Sequence, residues 1–500
     1  MASPNGFDSL FIIDVRPGED YKMGIDIFLS GLKGVISALG ATVLLPVMIF
    51  IFAVVLGTKW GRAFRSAVII GVAFVGINLV IGLMWGALSD VSQAIVTNTG
   101  IQRDIVDVGW PSAAAIAYGS SVGLWVIPIG LLVNVAMLAV RLTKTLNIDL
   151  WNFWHFAFAG SLVVAGTGNL ALGLATAAIY SATMLFFADW TAPAVQEFYN
   201  LPGISIPHGT STPYVPLAIP VNWLLDKIPG LKDLDADPDA IQEKLGSTAG
   251  DPMVLGLVIG IVLGLIGYWA KLSGGDYEGF FAGVLQLGVN LAAVMILLPR
   301  MVAILMEGLI PISEAAREFM QRRASNREVF IGLDSAILIG HPAVISSALL
   351  LVPIAILLSA ILPGNRVLLF ADLAVIPFVI AMFGPITRGN VVRTVIIGTI
   401  ALIIGFYVAN SLAPLMTEAA RAANFTIPAN ATMVVSIADG FIWLPWFFLK
   451  IGYLGWIGMA IALVLLAVGL FFYLRNHTTW ERLAGGHATA PASGMPAGSS

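Results

Sequence analysis

An all-α, polytopic membrane protein is the fold class that the sequence predicts, and three observations predict it. Of its 500 residues, 58% are hydrophobic and only 11% are charged, against about 25% charged in soluble domains. Mean hydropathy is +0.92. Apolar runs long enough to cross a bilayer recur along most of the chain, and the alternating strands of a membrane barrel are not visible.

The runs fall at 34–56, 66–88, 112–140, 155–187, 252–272, 279–298, 336–362, 367–387, 391–412 and 451–474. Weaker or broken stretches lie at 301–312, 204–225 and 433–449. The run at 155–187 is too long for a simple span, and its Gly166-Thr-Gly-Asn169 break predicts a kink or a re-entrant start. Fifty-two glycines suit close helix packing and broken helices. The expected architecture is about eleven transmembrane helices with re-entrant hairpins. The Pro-rich, acidic stretch at 188–251 is expected to hold one hairpin, around Ile204–Leu225.

Residues 1–30 read as an acidic N-terminal extension without the basic start of a signal peptide. The membrane-embedded domain is expected over 31–475, and a flexible cytoplasmic tail over 476–500, Gly/Ala/Ser/Pro-rich from 484. Basic residues predict the inward-facing loops: Lys59, Arg62 and Arg65; Arg141 and Lys144; Arg317 to Arg327; Arg388 and Arg393; Arg475 and Arg482.

There are no cysteines, which excludes disulfides, thiolate nucleophiles and cysteine-ligated metals. The five histidines show no metal-ligand spacing, no phosphate-cradling glycine loop is present, and no basic aromatic patch points to nucleic acid. No metal and no cofactor are therefore expected.

Polar groups at bilayer depth are costly and usually line a pathway. Asp334 and His341 stand at the head of one apolar run, and in a helix they share a face about 10 Å apart along the axis. Gly340 and Pro342 argue against an unbroken helix there. Asp334 reads either as a helix N-cap or as a general base or hydroxyl acceptor, and the two roles are compatible. His341 is a substrate contact or the filler of a packed kink. His155, in Trp151-Asn-Phe-Trp-His155, is an interfacial hydrogen-bonded histidine or a substrate contact. His208 and Thr210 lie in Ile206-Pro-His-Gly-Thr-Ser-Thr-Pro213, a polar loop able to ring a sugar with donors and acceptors, or an ordinary turn. Asp372 and Glu307 are further candidates, each with a nearby arginine (Arg366 and Arg300) as a structural partner. Asn78 reads as a helix–helix hydrogen bond or a ligand contact. Asp107 to Pro111 most simply cap and open the next helix.

Six stretches in order carry a resemblance. They are Gly71-Val-Ala-Phe-Val-Gly-Ile-Asn-Leu-Val-Ile-Gly-Leu83, Val106-Asp-Val-Gly-Trp-Pro111, Trp151-Asn-Phe-Trp-His155, Ile206-Pro-His-Gly-Thr-Ser211, Ile331-Gly-Leu-Asp334 with Gly340-His341, and Leu362-Pro-Gly-Asn-Arg-Val367 leading to Asp372-Leu-Ala374. Together they resemble the galactitol-type permease, the enzyme IIC component of the bacterial phosphoenolpyruvate-dependent sugar phosphotransferase system, from about residue 31 to 475. The resemblance implies a fold shared with the ascorbate permease: a homodimer, each protomer with a scaffold and a mobile core with re-entrant hairpins, moving substrate by an elevator-like shift. It implies a bacterial cytoplasmic (inner) membrane location and IIA and IIB partners. It also implies a polyol substrate, phosphorylated by a separate IIB phosphocysteine protein. The chain would then be the membrane component of a phosphotransferase complex that itself carries no phosphoryl group. The residues that look equivalent to the relative's ligand set are His155, His208 and Asp334. Two departures leave room for another hexitol or a pentitol: Phe370-Ala-Asp372 where Phe-Gly-Asp is usual, and Gly250-Asp-Pro252 where Gly-Glu-Pro is usual. The rival expectation is a secondary transporter coupled to H⁺ or Na⁺, with Asp334, Asp372 and Glu307 as relays.

Overall fold

The protein is described by a computed structural model over residues 46–99, 103–231, 251–323, 328–369, 371–427 and 431–486, with a few isolated residues besides. The extension at 1–30 and the last residues, 487–500, lie outside the described residues.

The chain is mostly helical, as its hydropathy predicts. Among the described residues six helices are long and apolar enough to cross a membrane. Three helices form one layer. They are α2 (Trp60–Thr99), α8 (Pro252–Gly267) and α10 (Tyr277–Arg323), packed against one another, with a short helix α1 (Pro46–Val55) before them and the five-residue α9 (Trp269–Ser273) between the last two. The runs expected at 279–298 and 301–312 are one 47-residue helix, α10, which continues through Pro299 and Pro311. Glycines let α8 and α10 meet at backbone distance, since a Cβ on Gly260 would stand 2.6 Å from the Cα of Gly288. The outer faces of this layer are apolar and exposed, at Val72, Leu79, Val258 and Val289.

The second layer is built from interrupted segments. Its long helices are α6 (Leu170–Phe198), α11 (Pro342–Ile361), α14 (Val391–Ala422) and α17 (Trp456–Leu483). Between them lie α3 (Trp110–Gly119), α4 (Val126–Ala139), α5 (Trp154–Thr167) and α7 (Val215–Leu225). Shorter pieces are α12 (Ile376–Ile380), α13 (Phe383–Thr387), α15 (Ile437–Gly440) and α16 (Trp443–Gly452). The break expected within 155–187 is present: Gly168 ends α5 in the left-handed region (φ 69), and the Asn169 side chain caps α6. The run expected at 112–140 is also two helices, separated at Ser120–Trp125.

Among the described residues six short strands, which hydropathy did not predict, join the helical pieces in two parallel sheets. β1 (Ile105–Asp107) lies between β5 (Val367–Leu368) and β6 (Met433–Val435). β4 (Phe330–Gly332) lies between β2 (Thr145–Asn147) and β3 (Ile204–Ser205). Their valines, isoleucines and threonine suit a buried pleat. Exposed ion pairs mark where the strands begin: Arg366 with Asp104 for the first sheet, Lys144 with Glu328 (3.0 Å) for the second.

Residues 476–483 are not a free tail. Helix α17 bends at Asn476 (φ −135) and continues to Leu483. The Trp480 ring packs edge-on against Trp190 at 4.9 Å, and Trp190 Nε1 donates to the Trp480 carbonyl at 2.6 Å. Two large indoles bury more apolar surface than a polar tail sequence suggests.

Candidate functional site

Each strand delivers the chain into a turn, and polar side chains stabilise those turns. After five strands a side chain accepts a hydrogen bond from the N–H two residues on: Asp107 from Gly109 (3.1 Å), Asn147 from Asp149 (3.1 Å), His208 from Thr210 (3.3 Å), Asp334 from Ala336 (2.8 Å) and Ser436 from Ala438 (3.2 Å). Such bonds stop the chain from continuing as strand or helix and bring polar groups to depth. The turns of the two sheets meet. Thr210 Oγ1 donates to the Ala438 carbonyl at 2.9 Å, and His155 Nδ1 lies 2.8 Å from Asp439 Oδ2.

At this meeting point lies a cavity of about 440 Å³. Asn152, His155, His208, Thr210 and Asp334 give it polar groups from the second layer; Trp110, Trp151, Trp154 and Phe378 give it aromatic faces. The opposite wall is α2, through Phe74, Asn78, Ile81 and Gly82. The cavity therefore sits between the two layers.

Asp334 is a cap and a cavity residue at once. Oδ1 accepts from Ala336 N–H and faces His208 Nε2 at 3.4 Å; Oδ2 accepts from Asn152 Nδ2 at 2.9 Å. The same Asn152 amide donates to Asp149 Oδ2 at 2.6 Å, which fixes its orientation between two carboxylates. Because Thr210 N–H donates to His208 Nδ1, the neutral His208 ring carries its proton on Nε2, toward Asp334. His155 has the opposite arrangement. Its Nδ1 lies 2.8 Å from Oδ2 of the buried Asp439, an ionised carboxylate there accepting from Nδ1–H, and its Nε2 has no hydrogen-bond partner among the described residues. The two imidazoles are edge to face, 4.7 Å between centroids. Gly209 permits this approach, since a Cβ there would meet the His155 Cβ and Cγ at 2.5 Å.

Of the sequence candidates, His155, His208, Thr210, Asp334 and Asn78 line the cavity together. The other three lie elsewhere. Asp372 is enclosed behind the wall, where its carboxylate accepts from Trp110 N–H (2.6 Å), Ser436 Oγ (2.5 Å) and Ile437 N–H (2.9 Å). It ties together the ends of β1, β5 and β6, and Arg366 pairs with Asp104 rather than with Asp372. His341 caps α11, its Nδ1 accepting from Ala343 N–H at 3.2 Å, and its ring packs on Phe198 at 4.4 Å. Asp334 and His341 do not share a helical face, because a 3-10 turn (Ser335–Ile337) and Gly340 separate the two caps. Glu307 is exposed on α10.

Three polar residues at the site were not among the candidates: Asn152, Asp149 and Asp439. Asn152 lies inside the quoted Trp151–His155 motif. Asp439 lies in the weak apolar stretch at 433–449, where a carboxylate at depth carries the same signal as Asp334.

Comparison with known proteins decides the family. The profile of the PTS system sugar-specific permease component matches residues 35–430. The chain belongs to this family. It is 40% identical over 413 residues to the "PTS system galactitol-specific EIIC component" of Escherichia coli (strain K12), covering 83% of this chain and 89% of that protein. The namesake from Escherichia coli O157:H7 matches over the same 413 residues at 40% identity, with the same coverage. As a permease component with six long apolar helices, the chain is a multi-pass protein of the bacterial inner membrane.

Proposed function

We propose that this permease component carries a galactitol-like polyol, a hexitol or pentitol, and presents it for phosphorylation by the phosphocysteine of a separate IIB protein. The observation that carries the reading is the cavity. Indole faces line it together with Asn152, His155, His208, Thr210 and Asp334, a set of donors and acceptors suited to a chain of hydroxyls. The names of the relatives supply the polyol. Of the two departures from the galactitol-type pattern, Ala371 lines the cavity, whereas Asp251 caps α8. A methyl group in the wall favours a related polyol as readily as galactitol itself.

In this reading Asp334, held by Asn152 and by its own turn, accepts a substrate hydroxyl and orients it. His208 Nε2–H and Asn78 bind neighbouring hydroxyls. The phosphoryl group then passes in line from the IIB phosphocysteine, and positioning is the main contribution of this chain. Layer one (α1, α2, α8, α10) serves as scaffold and dimer face, and layer two as the core. An elevator-like shift of the core against α2 would carry the cavity from one side to the other, because one wall belongs to each layer. The short segments beside the strands act as re-entrant hairpins, within a total of about eleven crossings. The partners are IIB and IIA.

Proteoliposomes containing the protein test the proposal. With IIB in its phosphorylated form on the cytoplasmic side, polyol phosphate is expected to form and transport to depend on that relay. Accumulation of unmodified polyol driven by a proton or sodium gradient, without IIB, would contradict it.

A further inference from the structure

The carboxylate that the reading above uses for the substrate hydroxyl, Asp334, has both oxygens engaged. Oδ1 holds the Ala336 N–H and faces His208, and Oδ2 holds Asn152. The opposite is true of His155. Its residue is 1% exposed, its ring lines the cavity, and its Nε2 lacks any partner among the described residues. That nitrogen is paired with no described protein group and lies on the cavity lining, so its hydrogen-bonding capacity is left for whatever occupies the cavity. Its other nitrogen is fixed. Nδ1 lies 2.8 Å from Oδ2 of Asp439, which is itself fully buried on α15. Packing holds the ring in place: the Trp154 and His208 ring centroids lie 4.0 and 4.7 Å away, and a Cβ on Gly209 would stand only 2.5 Å from the His155 Cβ. A carboxylate that accepts from Nδ1–H places the lone pair of a neutral imidazole on Nε2 and stabilises the cation that forms when Nε2 takes a proton.

We propose that Asp439 is a positioning residue that holds His155 as the proton acceptor for the attacking hydroxyl, with Asp334 confined to binding and orienting it. This rests on the reading of the protein as a polyol-phosphorylating permease component. In the step, a lone pair of the substrate oxygen forms the O–P bond. The S–P bond breaks, and its electron pair stays on the cysteine thiolate of IIB. The hydroxyl proton moves to His155 Nε2, and the imidazolium is neutralised by the Asp439 carboxylate. After product departs, the proton returns to water.

The two half-sites come from elements 284 residues apart in sequence, on the turns of different sheets. The dyad therefore exists only when the turns of both sheets are docked. That gives the reaction a geometric condition that binding through Asp334, Asn152 and His208, which need only the second sheet's turns, does not share.

The experiment measures polyol binding and phosphorylation by phospho-IIB in the intact protein, for wild type, Asp439→Asn, His155→Gln and the double variant. An asparagine in place of Asp439 removes the charge that stabilises the imidazolium, and where its amide N–H faces Nδ1 it also moves the ring proton onto Nε2. Asp439→Asn is expected to keep polyol affinity within about threefold while phosphorylation slows about 10²–10⁴-fold. His155→Gln is expected to slow it comparably, and the double variant to be no slower than His155→Gln, because the two act as one unit. A wild-type rate in Asp439→Asn or in His155→Gln would overturn the proposal, as would losses in the double variant that multiply. Should Asp439→Asn lose binding as well, His155→Gln decides alone: retained binding with a slow rate supports the proposal, and loss of binding and rate together makes His155 a binding residue and overturns it. If wild-type protein itself forms no polyol phosphate with phospho-IIB, the functional reading fails, which is a different result from any of these.

Discussion

The layer of α2, α8 and α10 and the layer of two small sheets solve the membrane problem differently. The first consists of long continuous helices whose backbone groups are satisfied within each helix, so it needs no polar side chains at depth. It presents apolar residues such as Leu79 and Val289 outward and, among the described residues, contributes one hydrogen-bonding side chain to the cavity, Asn78. The second is interrupted at every strand, and each interruption exposes backbone N–H groups that polar side chains must meet. Asp334, His208, Asn147, Asp107 and Ser436 all do so. The difference teaches where a binding site in a membrane can come from. Side chains that first stabilise a broken backbone are already at bilayer depth, oriented and close together, and a ligand uses what remains of their hydrogen-bonding capacity.

The comparison breaks most severely at Asp372, whose carboxylate joins three chain segments. Asp372→Ala leaves two buried N–H groups and the Ser436 hydroxyl without their acceptor, and is expected to destabilise the protein by about 3 kcal/mol or more. Thermal unfolding in detergent measures this, and an unchanged midpoint would remove Asp372 from the framework. Next in size is Asp334→Asn. Asparagine caps a turn as well as aspartate does, so folding and partial polyol binding are expected to survive. Loss of the charge that orients the hydroxyl is expected to slow phosphorylation about 100-fold. A wild-type rate would return Asp334 to a purely capping role.

How much of this was legible beforehand follows the same division. The first layer was readable from hydropathy, apart from the fusion of two expected runs into α10, which prolines at 299 and 311 disguised. Pro interrupts the hydrogen-bond ladder, but neighbouring helices restore what is lost, so the helix continues. The break at Gly168 and Asn169 was also readable, because a left-handed glycine followed by a capping asparagine is a local signal. The strands were not, since segments of two or three residues have no periodicity to detect. Nor could sequence show that Asn152 would bridge Asp149 and Asp334, or that Asp439 would meet His155. Those pairings depend on turns brought together across long stretches of chain. Asp372 and His341 carried the same polar-at-depth signal as Asp334, yet their side chains serve the backbone behind the cavity wall or beyond it.

Smaller effects sharpen the contrast from the scaffold side. Asn78→Ala removes a polar group that faces the cavity, and is expected to weaken polyol affinity about five- to tenfold, in line with a single neutral hydrogen bond. Equilibrium binding measures it, and unchanged affinity would leave α2 as a passive wall. One residue further along the helix, Leu79 is 70% exposed on the apolar outer face. Leu79→Ala is expected to change stability by no more than about 0.5 kcal/mol and affinity not at all. A large loss in the thermal midpoint would place Leu79 within the dimer face of this layer rather than against lipid.

The central claim is that the cavity between α2 and the sheet turns is the polyol site, and Gly82 allows a direct test. It lines the cavity from α2, and a Cβ added there meets no atom within 4 Å. The first carbon of a side chain at Gly82 therefore enters open space, and Gly82→Phe is expected to occupy part of the cavity with the fold retained. Isothermal titration of the purified variant with galactitol and related polyols is expected to show binding weakened more than tenfold at an unchanged thermal midpoint. Wild-type affinity in that variant would place the polyol elsewhere and contradict the account.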